Sequence, residues 1–160
     1  MKNSLLILFI LLIGVLTIGC SKKDKYKDVE IVKIEYSYSG GYGTVISIAK
    51  KTFTFYSDGK VVLSNAYDDS TYTFEIGKDS YNELSDFIKD RMYIMDKKAH
   101  EDKNILDGSS SYLDVELADG TKKSFGGYMV KDKEFIQMRD KIYEYIDQDV
   151  LKEYIDNIGK

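Results

Sequence analysis

The sequence predicts an α+β domain, an antiparallel sheet of about six or seven strands with two or three amphipathic helices packed on one face. Three observations carry that prediction. Apolar and polar residues alternate along much of residues 29–76 and again over 111–128, the period-two mark of half-buried strands. Asp58-Gly59 and Asp119-Gly120 interrupt these runs where hairpins turn, because Gly reaches positive φ without strain. After Gly77, and again near residue 135, the apolar spacing lengthens to that of a helix with one buried stripe.

The first strand is read from Val32, Ile34, Tyr36 and Tyr38 alternating with Lys33, Glu35 and Ser37; Gly40-Gly41-Tyr42-Gly43 ends it. Residues 44–49 are a second candidate strand. Residues 52–56, with Phe53 and Phe55 on one face, are a third, or a continuation past a bulge at Lys50-Lys51. The turn Ser57-Asp58-Gly59-Lys60 leads into a strand over 61–65. After the turn at Asp68-Asp69-Ser70, Tyr72, Phe74 and Ile76 mark the next.

Ser80-Tyr81-Asn82-Glu83 has the form of a capping box, and Tyr81, Leu84, Phe87 and Ile88 share one helical face, so a helix is predicted over 80–90. Residues 92–95 fit both periods, and 96–110 are a polar, charge-dense loop. Leu113, Val115 and Leu117 alternate with Tyr112, Asp114 and Glu116 before the second hairpin, Ala118-Asp119-Gly120-Thr121, which opens into 122–128. Phe135, Met138, Ile142 and Tyr145/Ile146 form the stripe of a second helix. Val150, Leu151, Tyr154 and Ile155 continue it or begin a short final one. Each Asp-Gly hairpin is followed by an amphipathic helix, which hints at an internal duplication, although turn-to-helix spacing is 21 residues in the first half and shorter in the second.

The amino terminus is of another kind. Lys2 precedes an almost unbroken apolar run over residues 5–16, which stops at Thr17-Ile18-Gly19-Cys20. A positive start, a short apolar core and a small residue before a cut are the layout of a secretory signal peptide. The run falls short of the roughly 20 apolar residues that a membrane-spanning helix needs. Thr17-Ile18-Gly19-Cys20 resembles the lipobox of bacterial lipoproteins, with Thr17 standing where Leu is usual. The resemblance implies cleavage between Gly19 and Cys20, a diacylglyceryl group on the Cys20 sulfur, and a protein held at the extracytoplasmic side of the cell membrane by lipid. Two acyl chains suffice for stable anchoring, at about 0.8 kcal/mol per buried methylene.

The chain is thereby divided into a cleaved signal peptide (1–19), a lipidated Cys20 with a polar tether (20–28) and a single α+β domain (29–160). Eight extended tether residues reach at most about 28 Å. Their lysines either rest on anionic headgroups, at about 1 kcal/mol each, or are solvated. With the only cysteine committed to lipid, no disulfide is available, so the domain depends on its core.

The mature part carries 22 basic and 27 acidic residues. That balance argues against nucleic acid as a partner, because phosphate binding needs a basic face. The one histidine, His100, lies among Lys97, Lys98, Glu101 and Asp102, and reads as a solvated loop residue rather than a metal ligand. Asp107-Gly108-Ser109-Ser110-Ser111 lacks the spacing of a nucleophile elbow. Asp68-Asp69 and Asp24/Asp28 lack that of a calcium loop, and Gly40-Gly41-Tyr42-Gly43 that of a phosphate loop. No cofactor, metal or catalytic residue is assigned.

The remaining signal is 14 tyrosines. Tyr36, Tyr38, Tyr42, Tyr56, Tyr67, Tyr72, Tyr112 and Tyr128 lie on or beside predicted strands, as an outward aromatic surface for recognition or simply as good strand formers. The expectation is a non-catalytic binding or accessory domain of the cell envelope, anchored to membrane lipid through Cys20 and engaging an envelope protein or peptide. The alternatives are an inhibitor or immunity-type lipoprotein docking through Asp68-Asp69 or Glu101-Asp102, and a small envelope enzyme using dispersed carboxylates.

Overall fold

The computed structural model describes Tyr26, residues 28–40, 49–95 and 108–146, and Leu151, Lys152 and Tyr154. Among these, six strands form one antiparallel sheet and two helices join it, in the order β1 (Ile31–Ser39), β2 (Lys51–Tyr56), β3 (Lys60–Asn65), β4 (Thr71–Glu75), α1 (Lys78–Met92), β5 (Ser110–Leu117), β6 (Lys122–Tyr128) and α2 (Lys133–Glu144). The strand order across the sheet is β4-β3-β2-β1-β5-β6. The predicted α+β class with an antiparallel sheet is therefore what forms. The candidate strand over 44–49 falls almost entirely outside the described residues.

Both hairpins turn as their sequences require, with the same hydrogen bonds. Gly59 (φ 92°) donates to the Tyr56 carbonyl at 2.9 Å while an Asp58 carboxylate oxygen accepts from the Lys60 amide at 3.0 Å. Gly120 (φ 82°) donates to Leu117 at 2.9 Å, and Asp119 accepts from Thr121 at 2.8 Å. In each turn only the glycine has positive φ, the pattern of a three-residue loop closing on a left-handed glycine. The two halves then diverge: β3 continues into a further strand, β4, before α1, whereas β6 leads directly to α2.

The core is built by strand parity. Ile34 and Tyr36 of β1, Phe53 and Phe55 of β2, Val61 and Leu63 of β3, Leu113 and Val115 of β5 and Phe125 of β6 are all buried. Tyr81, Leu84 and Ile88 of α1 and Phe135, Met138 and Ile142 of α2 belong to the same buried cluster, so the two predicted helical stripes are the ones the fold buries. Alternate residues such as Glu35, Thr54 and Asp114 stay half-exposed.

Three local expectations are corrected. Val32 does not share the inward parity of Ile34: the β1–β5 register shifts between Ile31 and Lys33, which turns Ile31 into the core at 2 % exposure and leaves Val32 half-buried. Ser80 does not cap α1, because the helix starts earlier, at Lys78, with Gly77 (φ 81°) as N-cap and no side-chain cap. The fold also begins before Val29, since Tyr26 is 3 % exposed and packs into the core, its carbonyl accepting from the Val29 amide at 3.3 Å. A tyrosine amid lysines is invisible to a reading that averages polarity over the tether.

Candidate functional site

Successive cross-strand rows of the inward face change character along β1. Ile34 lies beside Phe55 and Val115, with Val61 next to Phe55; Tyr36 lies beside Phe53 and Leu113, with Leu63 next to Phe53. These two rows are apolar apart from the Tyr36 hydroxyl. The following row, Ser111, Tyr38, Lys51 and Asn65, is polar throughout, yet Lys51 and Asn65 are only 2 % and 1 % exposed. Burying such groups is costly unless they are satisfied. Asn65 meets half of that requirement: its Oδ1 accepts from the Tyr67 amide at 3.0 Å, and its Nδ2 has no partner among the described residues. Lys51 Nζ donates to the Ala49 carbonyl at 3.3 Å and stands 5.6 Å from the centre of the Tyr38 ring. Burial holds its pKa below the ordinary lysine value.

Helix α2 completes this end. Asp132 caps it by accepting from the Phe135 amide at 2.9 Å, and its stripe of Phe135, Met138 and Ile142 is buried. Arg139 and Tyr143, four residues and so about one turn apart, then line a cavity of about 240 Å³ with Tyr36, Tyr38, Ser109, Ser111 and Asp140. Tyr143 meets Tyr36 edge-on (centroids 5.7 Å, 79°), while Tyr38 stacks between Tyr36 (6.1 Å) and Phe53 (6.4 Å). The Tyr36 and Tyr143 hydroxyls are 3.5 Å apart. Arg139 is held by Asp140, whose Oδ1 accepts from Nε at 2.9 Å and Nη2 at 2.7 Å.

The Tyr38 and Tyr143 phenols stay protonated at neutral pH and can both donate and accept hydrogen bonds. Burial, reinforced by Tyr36, pushes Tyr38 up to about 12, and the same two causes raise Tyr143 further. Among the described residues, no thiol or imidazole lines the cavity. What the arrangement offers is an aromatic wall edged by hydroxyls and a guanidinium–carboxylate pair.

A second depression, of about 330 Å³, lies on the opposite face among Lys33, Glu35, Asp114, Glu116 and Lys122. Lys33 sits 3.5 Å from Glu35 and 3.4 Å from Glu116, and Lys122 is 3.5 Å from Glu116. Burial works to lower the Lys33 pKa, but the two carboxylates outweigh it and raise it, while Lys33 holds Glu116 low. Half-exposed pairs of this kind contribute little to stability.

The residues singled out in the sequence are dispersed. Gly19, Cys20, Tyr42, His100 and Glu101-Asp102 lie outside the described residues. Asp68-Asp69 form the exposed β3–β4 turn, where Asp68 accepts from the Ser70 amide at 3.1 Å and Asp69 has φ 55°. Ser110 and Ser111 begin β5. The described tyrosines do not form one outward surface. Strand parity sends Tyr36 and Tyr38 inward, and Tyr56, Tyr67, Tyr72 and Tyr112 are 39–46 % exposed at separate places. Lys51, Arg139 and Tyr143 were not anticipated, although Lys51 shares the parity of Phe53 and Phe55, a signal overlooked because lysine is normally assigned to solvent.

Among the described residues no helix is long and apolar enough to cross a membrane, and no three His, Cys, Asp or Glu side chains gather as a metal site. Neither the protein-family models nor the curated proteins match this chain.

Proposed function

We propose that the chain is an extracytoplasmic lipoprotein, anchored in the cell membrane through a diacylglyceryl group on Cys20, whose domain serves the envelope as a non-catalytic binding or accessory module. The observation that carries the anchor is the lone cysteine placed directly after Thr17-Ile18-Gly19 at the end of the apolar run over 5–16. In this reading both helices lie on the inward face of the sheet and leave the Lys33–Glu116 face open. The Tyr81 hydroxyl on the Ile31 carbonyl (2.9 Å) and the Tyr143–Tyr36 ring contact support that arrangement.

The binding role rests on the cavity of Tyr36, Tyr38, Tyr143 and Arg139, which suits an envelope protein or peptide. Its rings provide rigid apolar area at low entropic cost, and its edges provide hydrogen bonds. Cys20→Ala tests the anchor: the variant is expected to leave the membrane fraction and to lose lipid labelling, and retention in the membrane with unchanged mass would sink the reading. Crosslinking in intact cells tests the module. A partner captured by the wild type and lost in Arg139→Ala supports it; capture indifferent to Arg139 and Tyr38 removes the cavity from consideration.

A further inference from the structure

Given the anchor proposed above, the geometry of the domain selects which of its ends meets the bilayer. Strand β1 runs from Ile31 to Ser39, nine residues and so about 30 Å at the usual rise. Its Ile31 end is shared by the β2–β3 turn at Gly59, the β5–β6 turn at Gly120 and the start of α1. Ala118 donates to the Glu30 carbonyl (2.9 Å), Ile76 donates to Gly59 (2.9 Å), and Tyr81 donates to Ile31 (2.9 Å). The other end holds the turn at Ala66, the entry to β5 and the Tyr38–Lys51–Asn65 row.

The docked Tyr26 links this geometry to the anchor. Because its side chain is 3 % exposed within the core and its carbonyl accepts from the Val29 amide, Tyr26 is itself a fixed point near the Ile31 end. Only six residue steps then separate Cys20 from a fixed point, a reach of at most about 21 Å.

We infer that Tyr26 acts as a strap that turns the Ile31 end of the sheet, with its two glycine hairpins, toward the lipid headgroups and presents the tyrosine cavity to the outside. An inverted domain would need Tyr26 to stand a full strand length, about 30 Å, above the bilayer, and six residues do not reach that far. The surface facing the partner is therefore chosen by where the chain enters the core.

The test uses the lipidated full-length protein in phosphatidylglycerol/phosphatidylcholine vesicles that carry a headgroup quencher. A fluorophore is attached to a cysteine introduced at Ala118 or at Ala66, both exposed and at opposite ends. Co-flotation is measured on the same samples. Flotation with quenching several-fold stronger at position 118 than at 66 supports the strap, and Tyr26→Ala is expected to narrow that difference by lengthening the tether. Flotation with equal or reversed quenching, or a difference unmoved by Tyr26→Ala, overturns it while leaving the anchor intact. Failure to float overturns the anchor and the strap together.

Discussion

The Tyr81 hydroxyl donates to the main-chain carbonyl of Ile31 over 2.9 Å, joining residues fifty positions apart in the sequence. This bond sets the first turn of α1 against the start of β1, beside the shift that turns Ile31 into the core. The phenol is buried, and that burial, with Glu30 nearby, raises its pKa. Tyr81→Phe would remove this buried hydrogen bond. The expected loss is about 1–3 kcal/mol of unfolding free energy, read from the urea midpoint at constant slope.

Alkaline pH should unfold the domain through its tyrosines. Tyr38 is pushed from 10.0 up to about 12 by burial, and burial likewise raises Tyr81 and Tyr143. Above the unfolded value the denatured chain releases phenolic protons that the native state retains, so stability falls as pH rises. The contribution is whole below pH 10 and, for Tyr38, is lost between 10 and 12. Urea midpoints across that window should fall steeply in the wild type and less steeply in Tyr38→Phe; an identical slope would refute the assignment.

The two helix starts should respond differently to loss of a polar side chain. Asp132 caps α2 through the Phe135 amide, so Asp132→Ala is expected to cost about 1 kcal/mol. Ser80 is inside the first turn of α1 and makes no cap, so Ser80→Ala should change the unfolding free energy by less than about 0.5 kcal/mol. Equal losses would restore the capping box read from sequence.

Gly126 should tolerate no side chain. It sits in β6 at φ 112°, and a Cβ there would run into the Ser111 carbonyl oxygen and come within 2.9 Å of Tyr112 Cα. Gly126→Ala is expected to cost at least about 2 kcal/mol and to loosen the β5–β6 pairing, seen as faster amide exchange at Tyr112 and Leu113. Gly120→Ala, with positive φ but open space around it, should cost less.

How much was legible follows the range of each interaction. The strands carrying Phe53/Phe55 and Leu113/Val115, the Asp-Gly turns and the stripes of Leu84/Ile88 and Met138/Ile142 are written in neighbouring residues, since pleat and helix periods are local. The fate of Val32 was not, because a one-residue register shift against β5 reverses parity. Nor was the true start of α1, where Gly77 begins the helix ahead of a motif with the right letters. The cavity was least legible of all. Its tyrosines stand out in the composition, but Tyr36 and Tyr143 meet across 107 positions, and no local pattern encodes that meeting.

By itself the sequence determined the α+β class, most of the strands and both helices, because periodicity and turn chemistry are properties of short stretches. Only the tertiary structure decided which tyrosines are walls of a cavity and which are scattered on the surface, that Lys51 and Asn65 are buried, and that Tyr26 belongs to the core rather than to the tether. Those outcomes depend on which strand becomes a neighbour and on what a helix lays over it. Burial is a property of the assembled fold, and no single side chain carries it.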